Sequence, residues 1–156
     1  MSDLLVRLYD LPENTAKRNC ENEGFVIRTA IAPEMHIVQN FVKKHFNRHW
    51  AGEITVAFAR IPIAVVVAID DGEIVGFAAY DATCRSFFGP TGVAKSHRGR
   101  GIGEALLIEA LTNLRSMGYA YGIIGNVGDA LTFYQKVIEP QVIEGSTPGF
   151  YRGMLQ

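Results

Sequence analysis

The chain has 156 residues, of which 48% are hydrophobic and 20% charged, and its formal net charge is −1. A chain of this length can bury about 70% of its unfolded surface, so a core can form without disulfide or metal staples. The near-zero charge gives no indication of a nucleic acid partner. We therefore expect one domain over residues 1–156, with an N-terminal arm at residues 1–23 and a core at residues 24–155.

The cysteines and the first residues bear on the cellular compartment. Cys20 and Cys84 are the only two cysteines, and they lack the spacing of a metal site, which is typical of a reducing compartment. The opening MSDLLVRLYDLPEN has too short an apolar run for a signal peptide, and no window approaches the roughly 20 apolar residues of a membrane span. We expect a cytoplasmic protein without a membrane partner.

The first part of the chain predicts strands alternating with helices. In chain order we predict an edge strand at residues 4–8, a loop or short helix at 13–24, a strand at 24–32, a helix opened by Pro33 and a second helix at 51–60. The helix after Pro33 has an apolar stripe of Val38, Phe41, Val42 and Phe46.

His45, His49 and Glu53 follow one another at steps of four residues. If one helix continues through Trp50, these side chains stack on one face. The spacing allows a metal site, but the stack has no second cluster to complete a coordination shell. We therefore expect a polar face turned to solvent or to a cleft, and no metal. Trp50 forms either part of the core or the wall of a cleft.

Three consecutive strands are predicted in the middle of the chain. Residues 63–69 form a continuous apolar run, which predicts a central strand covered on both faces. A turn at residues 70–72 leads into a strand at 73–83, giving a hairpin. A third strand at 86–94 contains Gly89 and Pro90. Because proline cannot donate to a sheet ladder, we predict that the second half of this strand is distorted.

A glycine-rich basic turn, RGRGIG at residues 98–103, precedes a helix predicted at 103–117 and ended by Gly118. Glycines let the backbone approach a ligand, and the free N–H groups of a helix start favour an anion, so the turn predicts a phosphate site. The dinucleotide fingerprint fails because Glu104 stands at its sixth position from Gly99, and a Walker ending is absent. An ordinary helix entry is the alternative interpretation.

The last part of the chain predicts a strand, a helix and a closing hairpin. The strand covers residues 119–126, and the helix that follows is capped by Asp129. Ala130, Phe133, Tyr134 and Val137 lie along one face of that helix. Strands at 142–144 and 150–155 flank the sequence GSTPG, whose Pro-Gly pair fits a type II turn.

The pattern Arg98-x-x-Gly101-x-Gly103 resembles the coenzyme A pyrophosphate loop of the GNAT superfamily of N-acetyltransferases. The order of elements over residues 24–155, the distorted strand before the loop and the later sequence Phe133-Tyr134 resemble the same family. The resemblance implies an α/β fold, in which a mixed, mostly antiparallel twisted sheet carries helices on both faces.

Two positions depart from the family pattern. Lys95 stands where a proline is frequent after the strand. Asn126 lies four residues before Ala130, whereas the common asparagine of the family lies three residues before, at Val127 here.

The resemblance also implies a site for acetyl-CoA. Val93 N–H would bind the thioester carbonyl, and the turn at residues 98–103 would hold the pyrophosphate. The implied coenzyme-binding residues are Val93, Ala94, Arg98, Gly99, Arg100, Gly101, Ile102, Gly103 and Asn126. Tyr134 is the implied general acid, although from the residues alone it could simply pack on the apolar face of its helix. Glu53 and Asp81 are the candidate general bases.

These features predict an acetyl-CoA-dependent N-acetyltransferase that acts on a small-molecule or peptide amine by direct attack in a ternary complex. A catalytically silent module that senses acyl-CoA is the alternative. A nucleotide-binding domain of another kind is disfavoured by the failed glycine patterns. The sheet edges and the terminal hairpin also offer surfaces for a homodimer.

Overall fold

The computed structural model describes residues 1–156. Its strands are β1 (Leu4–Arg7), β2 (Val26–Thr29), β3 (Val65–Asp70), β4 (Glu73–Tyr80), β5 (Phe87–Val93), β6 (Tyr121–Ile124) and β7 (Gln141–Val142). Its helices are α1 (Thr15–Asn22), α2 (Met35–His45), α3 (Arg48–Phe58), α4 (Ile102–Ser116) and α5 (Leu131–Ile138). The strands form one sheet in the order β2-β3-β4-β5-β6-β1-β7. No helix has both the length and the apolar character to cross a membrane.

The sheet is mixed and mostly antiparallel, which confirms the predicted fold class. Only β5 and β6 are parallel neighbours, and every other neighbouring pair is antiparallel. The apolar run predicted as a covered strand supplies β3, in which Val65 to Ala68 are all buried. Because both faces of β3 are buried, its sequence is a continuous run of apolar residues and does not alternate between apolar and polar residues.

The two faces of the sheet carry different helices. Gly76 on β4 faces α4, because a Cβ added there would lie 3.0 Å from Leu106 Cδ1. Successive strand residues point to opposite faces, so the neighbouring Phe77 faces the other side, where its ring centroid lies 5.6 Å from that of Phe46. Helix α4 therefore covers one face, and α2 and α3 cover the other.

An aromatic layer between α2 and α3 covers the end of β5. The ring of Phe46 lies directly on Gly92, where an added Cβ would be 2.3 Å from Phe46 Cζ. Trp50 stacks on Phe46 with ring centroids 5.2 Å apart. The absence of a side chain at Gly92 thus allows this aromatic pair to contact the backbone of β5.

The condition for a stack of His45, His49 and Glu53, one helix continuing through Trp50, is not met. α2 ends at His45, and Asn47 adopts an extended conformation and accepts a hydrogen bond from Trp50 N–H at 2.9 Å as the N-cap of α3. His45 therefore lies on a different helix from His49 and Glu53, and the three side chains do not stack on one face. No group of three or more His, Cys, Asp or Glu side chains could hold a metal ion.

Three further predictions of local structure are wrong. β1 is not an edge strand, because it pairs with β6 on one side and with the two residues of β7 on the other. Asp129 lies inside a short 3-10 helix at Gly128–Ala130, and Ala130 is the N-cap of α5. Residues 150–153 form turns and residues 154–155 have no regular structure, so no closing hairpin exists. Contacts of this C-terminal segment with β5 and β6 override its strand propensity.

The turn between β4 and β5 is organised by a buried carboxylate. Asp81, predicted within a strand, lies after β4 with φ of +54° and is fully buried. Its oxygens accept from Ser86 N–H and from the Arg85 guanidinium, each at 2.7 Å. Burial alone would raise the pKa of Asp81, but these hydrogen bonds outweigh it and hold the pKa below its usual range.

We expect Asp81→Asn to destabilise the protein by about 1–3 kcal/mol at neutral pH, because a buried charge-assisted network loses its acceptor. Since the folded-state pKa is lowered, the stabilisation exists above the pKa of the unfolded chain, about 3.9, and is lost as pH falls through the folded-state value. Urea unfolding at pH 7 and at pH 3 measures this. Asp71→Asn, at an exposed turn position, is the control, and equal stabilities of the two variants at pH 7 contradict the expectation.

We expect Gly92→Ala to cost about 1–3 kcal/mol of unfolding free energy, because the new methyl group displaces the Phe46 ring. The change should also alter Trp50 fluorescence, since Trp50 stacks on that ring. In a Phe46→Ala background the penalty should disappear, and a double-mutant cycle measures this coupling. Additive effects of the two substitutions would contradict the proposed contact.

Candidate active site

The candidate site is a cleft that opens where β5 and β6 separate. The two strands pair only at Phe87 with Ile123 and at Phe88 with Ile124. β5 then continues to Val93 paired with β4 alone. A cleft of about 1770 Å³ extends from this split to the start of α4 and to α3. The predicted distortion of β5 is present as a register shift against β4 between Phe88 and Thr91, and beyond Phe88 the strand also has no partner on the β6 side.

The unpaired edge of β5 points backbone groups into the cleft. Ala94 N–H donates to the Val75 carbonyl at 2.8 Å, and in an antiparallel pair successive residues point to opposite sides. The N–H of Val93 therefore points away from β4 and toward the cleft. The Val93 carbonyl faces the same side and accepts a hydrogen bond from Arg98 Nε at 3.1 Å. Ala94, by contrast, is buried and its N–H is used within the sheet.

The glycine-rich turn leads from β5 into α4 along the wall of the cleft. Gly99 and Gly101 have φ of +77° and +80°, a left-handed conformation that glycine adopts without steric cost. Ile102, Gly103 and Glu104 line the cleft as the first residues of α4, and their N–H groups have no partner within the helix. Free donors and the positive end of the helix dipole make this position suited to an anion.

The two arginines of the turn point in different directions. Arg98 lines the cleft. The guanidinium of Arg100 lies 4.5 Å from the ring centroid of Phe25 and 3.5 Å from a carboxylate oxygen of Glu23, so it faces α1 and β2 instead. Of the two cations predicted for the phosphate site, the structure brings only Arg98 to the cleft.

Tyr134 lies on α5 with its ring buried against Phe88 and Phe133. Its hydroxyl makes no hydrogen bond within the protein, and no buried side-chain oxygen or nitrogen lacks a partner. The hydroxyl oxygen must therefore reach the cleft that Tyr134 lines. Burial of the ring raises the pKa of Tyr134 to about 12, so this hydroxyl is protonated throughout the neutral range.

Glu53 lies on α3 at the opposite wall of the cleft. Thr83 Oγ1 donates a hydrogen bond to Glu53 Oε1, and the Tyr151 hydroxyl lies 3.3 Å from Thr83 Oγ1. Burial raises the pKa of Glu53, and this effect exceeds the opposing effects of the Thr83 and Tyr151 hydroxyls and of His49. Glu53 is therefore a carboxylate that binds a proton more readily than a solvated one.

Asp81, a predicted general base, and Asn126, a predicted coenzyme-binding residue, differ in whether they line the cleft. Asp81 does not line the cleft, and both of its oxygens are engaged in the turn before β5. Asn126 lines the cleft just after β6, with φ of +55°, and its N–H donates to Asp3 Oδ1 at 2.8 Å.

The sequence interpretation missed several residues that line the cleft. No local sequence pattern marks Thr83 and Tyr151, because they approach Glu53 only in the folded chain. His97 also lines the cleft, and its Nε2 lies 3.0 Å from Asp70 Oδ2. Its position directly before the glycine-rich basic turn was a signal that could have drawn attention to it.

The sequence model of the acetyltransferase (GNAT) domain matches residues 62–137. This range contains β3, β4, β5, the glycine-rich turn, α4, β6 and most of α5, and therefore the separated strands and Tyr134. No curated protein matches the chain by sequence.

Solved structures share the fold at low sequence identity. A GCN5-related N-acetyltransferase from Sphaerobacter thermophilus is 20% identical with a TM-score of 0.71, over 91% of this chain and 48% of that one. A GCN5-related glucosamine N-acetyltransferase region of a fungal multi-domain GH3 β-N-acetylglucosaminidase is also 20% identical with a TM-score of 0.71, over 91% of this chain and 19% of that one. The chain thus spans less than half of either protein.

A GNAT family acetyltransferase from Brucella melitensis, solved in complex with acetyl-CoA, is 21% identical with a TM-score of 0.58, over 76% of this chain and 86% of that one. At these identities the likenesses establish the fold. Residues 62–137 thus resemble the GNAT domain in sequence, and the chain has the fold of these acetyltransferases.

Proposed function

We propose that the protein is an acetyl-CoA-dependent N-acetyltransferase that transfers an acetyl group to a primary amine in a ternary complex. The observation that carries this proposal is that one cleft contains a free β5 N–H donor, an anion-binding helix start and two titratable groups on opposite walls, Tyr134 and Glu53. A binding module would need only the first two of these features.

The residues present fit acetyl-CoA as the donor. Val93 N–H, the glycine-rich turn and Arg98 would hold its carbonyl and pyrophosphate, and the cleft connects all three. Acetyl-CoA supplies an activated acetyl group as a thioester. The Brucella melitensis neighbour was solved with the same molecule, which agrees with this assignment.

Val93 N–H would stabilise negative charge on the acetyl oxygen during attack. A fixed backbone donor of this kind contributes about 3–4 kcal/mol in the transition state. Because β5 is held by β4 along its other edge, the donor is in place before the substrate arrives and needs no rearrangement.

Tyr134 would donate the proton that the leaving thiolate needs. With the pKa of Tyr134 at about 12 and that of a thiol near 8.5, the transfer is uphill by about 3.5 units, or about 5 kcal/mol. This is well below the barrier of about 16 kcal/mol that corresponds to a kcat near 10 s⁻¹. A neutral, unpartnered hydroxyl is therefore energetically adequate as the acid.

Glu53, rather than Asp81, would accept the proton of the amine. Glu53 lines the cleft, and its raised pKa brings it closer to the neutral range, where a base is most effective. Asp81 lies outside the cleft. Cys84, the one thiol near this region, does not line the cleft either, so direct attack by the amine is favoured over an acyl-enzyme.

The acceptor end of the cleft combines Glu53 with the stacked rings of Phe46 and Trp50. A carboxylate beside aromatic faces suits a cationic amine. A screen of acetyl-CoA consumption over monoamines, polyamines, amino acids, aminoglycosides and peptides would identify the acceptor. Absence of turnover with every acceptor, together with tight binding of acetyl-CoA, would favour the silent sensor module.

We expect Tyr134→Phe to lower kcat by about 10²- to 10⁴-fold, the usual contribution of a general acid. Affinity for acetyl-CoA should change little, because the ring and its packing remain. Steady-state kinetics and calorimetry measure the two quantities. Tyr9→Phe, at an exposed tyrosine away from the cleft, is the control, and an unchanged kcat in Tyr134→Phe would remove Tyr134 from the mechanism.

We expect Arg98→Ala to weaken binding of acetyl-CoA by about tenfold or more, as for the loss of one charge-assisted hydrogen bond. Arg100→Ala should have a much smaller effect, because its guanidinium faces Phe25 and Glu23. Calorimetry with acetyl-CoA, CoA and ATP measures this. Equal losses in the two variants contradict the assignment of Arg98, and tight ATP binding without CoA binding contradicts the proposed function.

A further inference from the structure

We propose that Tyr151 and Thr83 are positioning residues for Glu53, so that the C-terminal segment at residues 149–154 completes the acceptor end of the cleft. The inference rests on the proposed function, in which Glu53 accepts the proton of the amine. It assigns a role to a part of the chain that lies beyond the matched domain range of residues 62–137.

The three side chains form a directed hydrogen-bond chain. Thr83 Oγ1 donates its single proton to Glu53 Oε1. A hydroxyl has one donor and two acceptor sites, so Thr83 can only accept in its contact with the Tyr151 hydroxyl, 3.3 Å away. While Glu53 is ionised and accepts from Thr83, Tyr151 is therefore the donor to Thr83. Both hydroxyls are oriented to support a negative charge on Glu53.

The position of Tyr151 is fixed by close contacts with the walls of the cleft. Its Cε2 would lie 3.2 Å from a Cβ added at Gly125, so the ring packs against the backbone directly after β6. The neighbouring Phe150 places its ring 5.5 Å from that of Phe87 at the start of β5. Gly149 has φ of +82°, and a Cβ there would lie 2.9 Å from the Ser146 carbonyl oxygen.

The C-terminal segment thus contacts β5 and β6 at the point where they separate. Glu53 reaches the same point from α3, on the other side of the cleft. Thr83, in the turn before β5, lies between the two groups and joins them. The hydroxyl chain therefore connects a helix, a turn and the C-terminal segment around one carboxylate.

The protonation of Glu53 depends on the groups that face it. Burial raises its pKa, whereas the hydroxyls of Thr83 and Tyr151 and the nearby His49 on the same helix lower it. The pKa of Tyr151 is itself raised by burial, which outweighs the lowering effect of its hydrogen bond with Thr83, and Glu53, Asp3 and Cys84 also raise it. Tyr151 therefore stays neutral as a donor in the neutral range. Removal of the Tyr151 hydroxyl should destabilise the ionised form of Glu53 and raise its pKa further.

Conservative variants distinguish hydrogen bonding by the Tyr151 and Thr83 hydroxyls from packing of the same side chains. Tyr151→Phe keeps the ring against Gly125 and removes only the hydroxyl. Thr83→Val removes the central hydroxyl, and Thr83→Ser restores it. Tyr9→Phe removes a tyrosine hydroxyl that bonds only to Tyr121, outside the cleft, and is the matched control.

We expect Tyr151→Phe and Thr83→Val to move the acidic limb of the kcat/KM profile to higher pH. Loss of one such hydrogen bond should lower kcat/KM by about two- to tenfold on the acidic limb, with little change on the plateau. Thr83→Ser should retain the wild-type profile. The proton equilibrium of Glu53 is measured independently by NMR titration of carboxyl-labelled glutamate, with Glu53→Gln identifying the resonance, and its midpoint should move in the same direction.

An unchanged Glu53 titration in Tyr151→Phe and Thr83→Val overturns the inference, whatever the activity. A uniform loss of kcat at every pH, with the titration unmoved, also overturns it and indicates packing alone. If the wild-type protein transfers no acetyl group, the proposed function fails. The NMR titration still decides whether Tyr151 and Thr83 control Glu53, so the two failures are distinguishable.

Discussion

The separation of β5 from β6 after two paired residues is the constraint on which the site depends. On one side, Gly89 has φ of +113° and Pro90 has no N–H to pair with a neighbouring strand. On the other side, the chain turns away from the sheet at Asn126, whose N–H is held by Asp3 at 2.8 Å. A continuous ladder would have satisfied the edge of β5 and closed the cleft. The broken ladder leaves Val93 N–H directed into the space between the strands.

The elements on both faces of the sheet border the gap between β5 and β6. α4 covers one face of the sheet and starts beside the unpaired edge of β5, so its free N–H groups face the same space. The aromatic pair of Phe46 and Trp50 lies on the other face, against Gly92. The anion-binding start of α4, the Val93 N–H donor and the aromatic side of the cleft therefore all lie next to one short stretch of β5. A small shift of β5 would affect all three together.

Features encoded by nearby residues could be predicted from the sequence. The covered strand β3, the glycine-rich turn and the amphipathic helix α4 each depend on a contiguous pattern, and each is present in the structure. The second helix predicted at 51–60 is present as α3, but it starts earlier, at Arg48, because Asn47 provides its N-cap. Tyr151 and Thr83 had no local signal, because a contact across 68 residues is set by the sheet topology. The direction of Arg100 likewise depends on Phe25, which is distant in sequence.

The hydrogen bonds of Asp3 have a consequence for the order in which the site forms. The backbone N–H of Asp3 donates to Ser146 Oγ, and the Asp3 carboxylate accepts from Asn126 N–H, so contacts across 143 and 123 residues meet at one residue. Such contacts close large loops, and their entropic cost places them late in folding. A nascent chain can build β3, β4 and α4 on the ribosome, but the acceptor side of the cleft must wait until residues 146–151 have emerged. The protein therefore gains β3, β4 and α4 before its complete site, and partial chains released earlier would carry a cleft without its C-terminal wall.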